Sequence, residues 1–369
     1  ELQFGLHDLP GSAHWFERSL HSPEHRCEGL MGLGRALRAM NRLAEAQQCF
    51  DQACQLQPHN AWARLGRAEL RLAQNLNDPA GWDDYEARFQ VDGLDVQTVA
   101  RTVLQEFAPT LVWNQQPLWQ GQRFPQGTLL IWKEQGDGDF FQFARFIPLL
   151  RSRVARVTLA CRCSLRRLAA SIPGVDLVVE PLGSGFPSLH FDAHIPLLSL
   201  ARLAPAGLPP PPYLQALPRE VKTWRRRWAR LRGSKVGLVW AGQRLSNPEP
   251  RSLALQALAP LAEVPGIRFF SLQVGPDALQ ASWPPHGMEL RDLQPQLFDW
   301  ANTAAALMSL DLLICIDSGI AHLAGALGVP TWLLLHHDAG WRWQRHSSRS
   351  AWYPSLKLYR QERPGCWQA

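Results

Sequence analysis

The sequence predicts an α/β protein: two doubly wound domains with an all-α region in front of them. Three observations lead there. Residues up to about 90 carry helical spacing with small residues at regular intervals. From Thr128 onward, short apolar runs alternate with helical stretches, which marks a parallel sheet with crossovers. The proline run Pro209 to Pro212 cuts that alternation in two, because proline stops a helix and cannot join a central strand.

The helical region spans 1–92. Within it Leu30, Leu33, Gly34, Leu37, Ala46, Phe50, Ala53 and Pro58 fall at tetratricopeptide spacing. Gly34 and Ala46 let two antiparallel helices touch, and Phe50 fills the gap. Trp15, Phe16 and Pro23 read as the end of an earlier repeat. Trp62, Leu65 and Gly66 open another, which closes with Trp82, Tyr85 and Phe89. Such a stack either presents a peptide-binding surface or simply caps the next domain. Residues 93–126 have poor periodicity and read as a connector.

The first α/β domain is expected over 127–215. Leu129 to Trp132 is a strand, Gly136-Asp137-Gly138-Asp139 a tight turn, and Phe140 to Leu150 mostly a helix. Strands near Arg156 to Ala160 and Val175 to Val179 enclose a helix near Leu165 to Ser171, and a short element follows near Phe191 to Pro196. The second domain is expected over 216–369. It opens on a Trp- and Arg-rich helix from Ala216 to Arg232. Strands follow at Val236–Trp240, Arg268–Leu272, Leu312–Ile316 and Thr331–Leu335, with helices at Leu255–Leu261 and Asp299–Met308.

The stretch LLICIDSGIAHLAGALG, Leu312 to Gly328, organises this domain. An apolar run of this length suits a strand buried on both faces. Ser318 is a good N-cap, and the small residues after it let a helix lie close to a sheet. A helix start at the carboxyl end of a parallel strand collects N–H groups and the positive end of the helix dipole, which suits an anion. His322 lies one turn after Ser318 on the same face. A hydroxyl, backbone N–H groups and an imidazole fit a diphosphate. The same pattern also fits an ordinary capped strand–helix unit.

Composition narrows the class. Hydrophobic residues make up 46% of the 369, enough for a proper core. No apolar run reaches the length of a membrane span, and there is no basic-then-apolar leader, so a cytoplasmic protein is expected. Glu1 is not an initiator methionine, which leaves a longer natural chain open. The seven Cys are scattered and odd in number, so reduced thiols are the better reading than disulfides, or than a metal site at Cys161 and Cys163. The net charge is +6, and seven Arg with no acid lie between Arg145 and Arg167. A second basic run, TWRRRWARLRGSK, precedes Val236. These are solvated helix faces or a peripheral contact with an anionic surface. No nucleic-acid module is recognisable, so a nucleic-acid partner is not expected.

Asn302-Thr303-Ala304, Asp311-Leu312, the Leu312–Gly328 stretch and Val329-Pro330-Thr331-Trp332 stand in the order DTA…DLxIxxDSxxAHLAGALGxPxW, with Asn302 in place of the usual Asp. In this the chain closely resembles heptosyltransferase-like GT-B glycosyltransferases, in particular a bacterial group with tetratricopeptide repeats in front. The resemblance covers about Leu30 to Trp352. It implies the GT-B fold and metal-independent inverting transfer of a sugar from a nucleoside-diphosphate donor, with no cofactor. Ser318, Gly319 and His322, with Asp317, would hold the donor. Trp240-Ala241-Gly242-Gln243 would line the diphosphate, and Gln243 is a candidate contact. Arg251, before Ser252, would clamp phosphate through its guanidinium. Gln273 ends the second strand of this domain, where the family often continues with Lys; here the next residue is Val274. On the acceptor side, the G-x-G-D turn is Gly136, Asp137, Gly138 and Asp139. Its last Asp would be the general base, while Asp137 departs from the usual apolar residue. The acceptor would be a protein or glycan, selected through the repeats.

Two other readings stay open. One is a non-catalytic repeat scaffold carrying a degenerate GT-B unit, which the altered turn and the missing Lys favour. The other is a nucleotide-sugar epimerase, which has no use for a repeat surface. His336 and His337 are an adjacent pair better read as lining a cleft than as metal ligands.

Overall fold

The computed structural model describes residues 8–91, 93–107, 116–181, 189–204, 207–242 and 250–367. By its internal contacts the chain forms two compact units. One comprises Glu1–Ala100 with Gly340–His346; the other comprises Arg101–Ala339 with Ser347–Ala369.

The first unit is a stack of antiparallel helices: α1 (Leu9–Ser19), α2 (Arg26–Ala39), α3 (Leu43–Leu56), α4 (Ala61–Gln74) and α5 (Pro79–Tyr85). The spacing expected for the repeat is what packs it. Phe50 is 2% exposed, and side-chain carbons added at Gly34 and Gly66 would fall 2.8 Å and 2.2 Å from its ring, so both glycines are there to admit it. Phe16 does the same for Gly32. Asp84 is buried and its carboxylate takes two bonds from Arg67, at 2.7 and 2.9 Å. The unit is not contiguous in sequence. Trp341 stands 5.8 Å from Trp82 and 5.7 Å from Tyr85, edge to face with both.

The expected connector contains a helix, α6 (Val96–Phe107). Asp95 caps it, its Oδ1 accepting from the N–H groups of Gln97 and Thr98. Ala100, Leu104 and Phe107 are buried at the spacing of one helical face.

The second unit holds two parallel sheets. In the first, β1 (Phe124–Trp132), α7 (Asp137–Phe143), β2 (Val154–Ala160), α8 (Arg166–Ala169), β3 (Leu177–Val179) and β4 (Ala193–Pro196) follow in chain order, and the strands lie in the order β3-β2-β1-β4. Strand β1 starts five residues before the expected Leu129, with a register irregularity between Phe124 and Thr128. The expected helix over 140–150 starts earlier, at Asp137, and gives way after Phe143 to 3-10 turns containing Pro148, which has no N–H to continue the ladder.

The second sheet follows α9 (Pro218–Trp228), whose Trp228 ring lies 4.5 Å from Phe270. It comprises β5 (Ser234–Val239), β6 (Ile267–Ser271), β7 (Leu290–Asp292), α10 (Trp300–Leu307), β8 (Leu312–Ile316), α11 (Gly319–Leu327), β9 (Thr331–Leu335) and β10 (Leu356–Arg360). The strand order is β10-β9-β8-β5-β6-β7. Counted within the domain this is 6-5-4-1-2-3, the doubly wound dinucleotide-fold order. β8 and β9 fall where the sequence places them, while β7 and β10 are additional strands. The helix expected at Leu255–Leu261 is a 3-10 run, Leu255–Glu263, interrupted by Pro260. The fold is therefore the one anticipated: a tetratricopeptide-type helical region, then two Rossmann-like domains of the GT-B kind. Among the described residues no helix is long and apolar enough to cross a membrane.

Candidate functional site

In a doubly wound sheet, loops on either side of the point where strand order reverses leave in opposite directions and open a crevice at the carboxyl ends. In the second sheet that point lies between β5 and β8, and in the first between β1 and β4. The segments leaving β5, β8 and β1 are the ones the sequence singles out.

After β8, Asp317 and Ser318 turn the chain into α11. Ser318 holds the N-cap position in an extended conformation (φ −157°, ψ 174°), but its side chain makes no cap. Its hydroxyl donates instead to the Ile316 carbonyl, 3.3 Å away. Gly328 ends the helix in the left-handed region, φ 76°. His322 is buried, and its Nδ1 is 3.0 Å from the Tyr353 hydroxyl. The ring therefore forms an inner wall of the helix, one turn in from Ser318.

After β5, the N–H groups of Trp240 and Ala241 both donate to the Gln273 side-chain oxygen, at 3.0 and 2.9 Å, and its nitrogen donates back to the Ala241 and Val274 carbonyls. Gln273 is buried and braces this loop from beneath. Gly242 donates to the Ser252 hydroxyl. Arg251 is half-buried, with Nη2 3.9 Å from where a side-chain carbon on Gly242 would stand, so its guanidinium lies at the carboxyl end of β5. Gln243 lies outside the described residues. His336, at the end of β9, is held below the usual imidazole range by burial, against the opposing pull of Asp317 and Asp338. His337 is bonded to Gln361. Cys161 is buried and its thiol is pushed up to about 12. Among the described residues no three His, Cys, Asp or Glu side chains are grouped to hold a metal ion.

After β1, the expected tight turn is the first turn of α7. Gly136 is its exposed N-cap, Asp137 opens it, and Asp139 is its third residue. The Asp139 carboxylate curls back so that Oδ2 is 3.3 Å from where a Gly136 side-chain carbon would be. Asp137 pairs with Lys133 at 3.1 Å and accepts from the Trp300 indole N–H at 2.7 Å. Gly138 is a point of close approach between helices of the two sheets. A carbon added there would sit 2.9 Å from His322 Cδ2 and 3.2 Å from Gly319 Cα. Only glycine backbone permits that approach.

The structure thus brings Gly138, Gly319 and His322 together, with Asp139 one residue away in α7. Sequence reasoning missed Lys133, Trp300 and Tyr353. Tyr353 lies between β9 and β10, and nothing local in the sequence ties it to His322.

The tetratricopeptide repeat family model matches residues 27–60. Protein FlbA of Caulobacter vibrioides is 26% identical over 340 residues, covering 84% of this chain and 53% of that protein, so the chain spans about half the length of this relative. Among solved structures, similar chains include a glycosyl transferase family 9 protein from Veillonella parvula (11% identity, 65% of this chain and 87% of that one, TM-score 0.49). Another is the Escherichia coli ADP-heptose lipopolysaccharide heptosyltransferase II (13% identity, 63% and 90%, TM-score 0.47).

Proposed function

We propose that the chain is a cytoplasmic glycosyltransferase that moves a sugar from a nucleoside-diphosphate donor to an acceptor hydroxyl, with inversion. One observation carries this reading. The helices that follow β1 and β8, each beside its own sheet's switch point, meet start to start at Gly138 and Gly319. A donor in the β5–β8 crevice is then within reach of a group on α7. In this reading the diphosphate lies at the N-terminus of α11, where backbone N–H groups and the helix dipole face it, with Ser318, Asp317 and Arg251 beside it. Gln243 and Gln273 belong to the loop that lines it, Gln273 as its brace. In this reading Arg251 and the helix end supply the positive charge beside the diphosphate, and transfer proceeds without a metal or cofactor. Gly136 to Asp139 form the acceptor side, and Asp139 is the base. Its carboxylate takes the proton of the acceptor hydroxyl as the oxygen bonds to the anomeric carbon. The bond from that carbon to the diphosphate oxygen breaks, and the electron pair leaves with the diphosphate. A single displacement of this kind inverts the centre. The repeats would select a protein or glycan acceptor.

The test is a panel of nucleotide sugars scored by thermal shift, followed by turnover of the hits. A donor at one hundred times its dissociation constant adds about 2.7 kcal/mol. Asp139→Asn should keep donor binding and lose roughly 10²–10⁴-fold in rate. Donor binding without turnover in the wild-type chain would instead favour the non-catalytic scaffold.

A further inference from the structure

The two basic runs of the sequence are used differently. Between Arg145 and Arg167 most of the charge is spent inside the fold. Arg145 lies against the rings of Tyr213, Trp352 and Tyr353, and Arg153 donates to the Gly121 carbonyl at 2.7 Å. Arg151 pairs with Asp176 at 3.1 Å, Arg166 with Glu180 at 3.2 Å, and Arg167 with both Glu220 and Asp299.

The run on α9 is left open. Trp224 and Trp228 bury one side of this helix, at 1% and 5% exposure. The charges on its flanks are tied down. Arg225 Nη2 donates to the Met308 carbonyl at 3.4 Å, and Arg227 donates to the Gln296 side-chain oxygen at 2.9 Å while lying over the Trp224 ring. Glu220, the helix's one acid, is the partner of Arg167. Lys222 and Arg226 each stand two residues from Trp224, about 200° round the helix, so they point away from the buried side. With Arg219, and with Arg230 in the turn that follows, they form a stripe at three- and four-residue steps, all exposed. Among the described residues none of these four has an acidic partner. Like charges at such steps repel one another and weaken a helix, so the stripe does nothing for the fold that neutral residues would not do better.

We propose that this stripe docks the chain on an anionic lipid surface as a peripheral, electrostatic contact. Four cations on one side of a helix suit a flat negative surface. The face offers no apolar core of the kind a protein interface needs, since only Thr223 and Ala229 lie among the cations. It offers no stacking platform for unpaired bases either, because both tryptophans face inward. With no exposed apolar side chain on it, the helix binds the headgroups without entering the bilayer. The contact goes beyond sugar transfer and does not depend on it.

The test is sedimentation of the full chain with phosphatidylcholine vesicles, with and without phosphatidylglycerol. Binding should require the anionic lipid and should vanish near 1 M salt, where screening shortens to about 3 Å. Each basic residue near such a surface contributes about fivefold in partitioning, so Lys222→Gln, Arg226→Gln and Arg230→Gln together should weaken binding roughly 100-fold. Arg156→Gln, Arg162→Gln and Arg363→Gln remove the same charge from exposed positions elsewhere and should change it little. Thermal midpoints check that both triples are folded, and Arg226→Glu alone serves if the first is not. No binding to the anionic vesicles overturns the proposal, as does equal binding to pure phosphatidylcholine or an equal loss in the second triple. Duplex DNA of mixed sequence that strips the chain from the vesicles, and is itself held through the same stripe, would assign the face to nucleic acid instead.

Discussion

Trp300, at the start of α10, donates its indole N–H to Asp137, at the start of α7, across 2.7 Å and 163 residues of chain. The bond fastens the two Rossmann-like domains at the mouth of the candidate site. Phe141 stacks edge to face on the same indole, 4.9 Å away. Asp137 is thereby a structural carboxylate shared by Lys133 and Trp300, which leaves the base to Asp139 in the proposed reaction.

Removing that fastening should loosen the junction. Asp137→Ala leaves a Lys133 side chain that is 7% exposed without its carboxylate, at a cost of about 1–3 kcal/mol. Asp137→Asn keeps an acceptor for the indole and should cost less. Urea midpoints of the two variants measure the difference; equal midpoints would show that the Trp300 bond contributes nothing.

The helical unit depends on a segment from beyond β9. Trp341→Ala removes a ring packed edge to face on Trp82 and Tyr85, and large-to-small changes of this kind cost about 3–5 kcal/mol. Trp341→Phe should recover much of it. This also changes what a truncation means. A chain starting near Gln115 keeps Trp341 but loses Trp82 and Tyr85, so it should aggregate unless Trp341 is replaced by a polar residue. Light scattering of the truncated chain with Trp341 and with Trp341→Gln decides it.

Acid should destabilise the first sheet. His194 on β4 is fully buried, and burial lowers its pKa to about 4. The Trp132 indole donates to its Nδ1 at 3.1 Å, which suits the neutral ring. Unfolded histidine takes up a proton below about pH 6.5, whereas the folded ring stays neutral until about 4. The contribution is therefore complete above pH 6.5 and is lost as pH falls from 6.5 towards 4, by about 3 kcal/mol in all. Denaturant midpoints of the wild type and His194→Gln across this range should converge in acid; parallel profiles would remove His194 from the account.

By itself the sequence determined the elements whose signal is periodic and local. Gly34 and Phe50 mark the repeat, five apolar residues mark β8, and small residues with a terminal glycine mark α11. Even the misread helices at Pro148 and Pro260 carried their correction in the chain, since a residue without an N–H cannot extend an α-helical ladder. Asp95, a capping residue, likewise announced α6. The tertiary structure alone decided partners. Gln273 turns inward because two N–H groups of the loop after β5 need an acceptor. Asp137 finds Trp300, Tyr353 finds His322, and Trp341 enters a helical unit whose other residues lie more than two hundred positions earlier. Spacing along a chain fixes which face of a helix or strand a side chain occupies; which distant group meets that face depends on how the elements pack, and that is settled only in three dimensions.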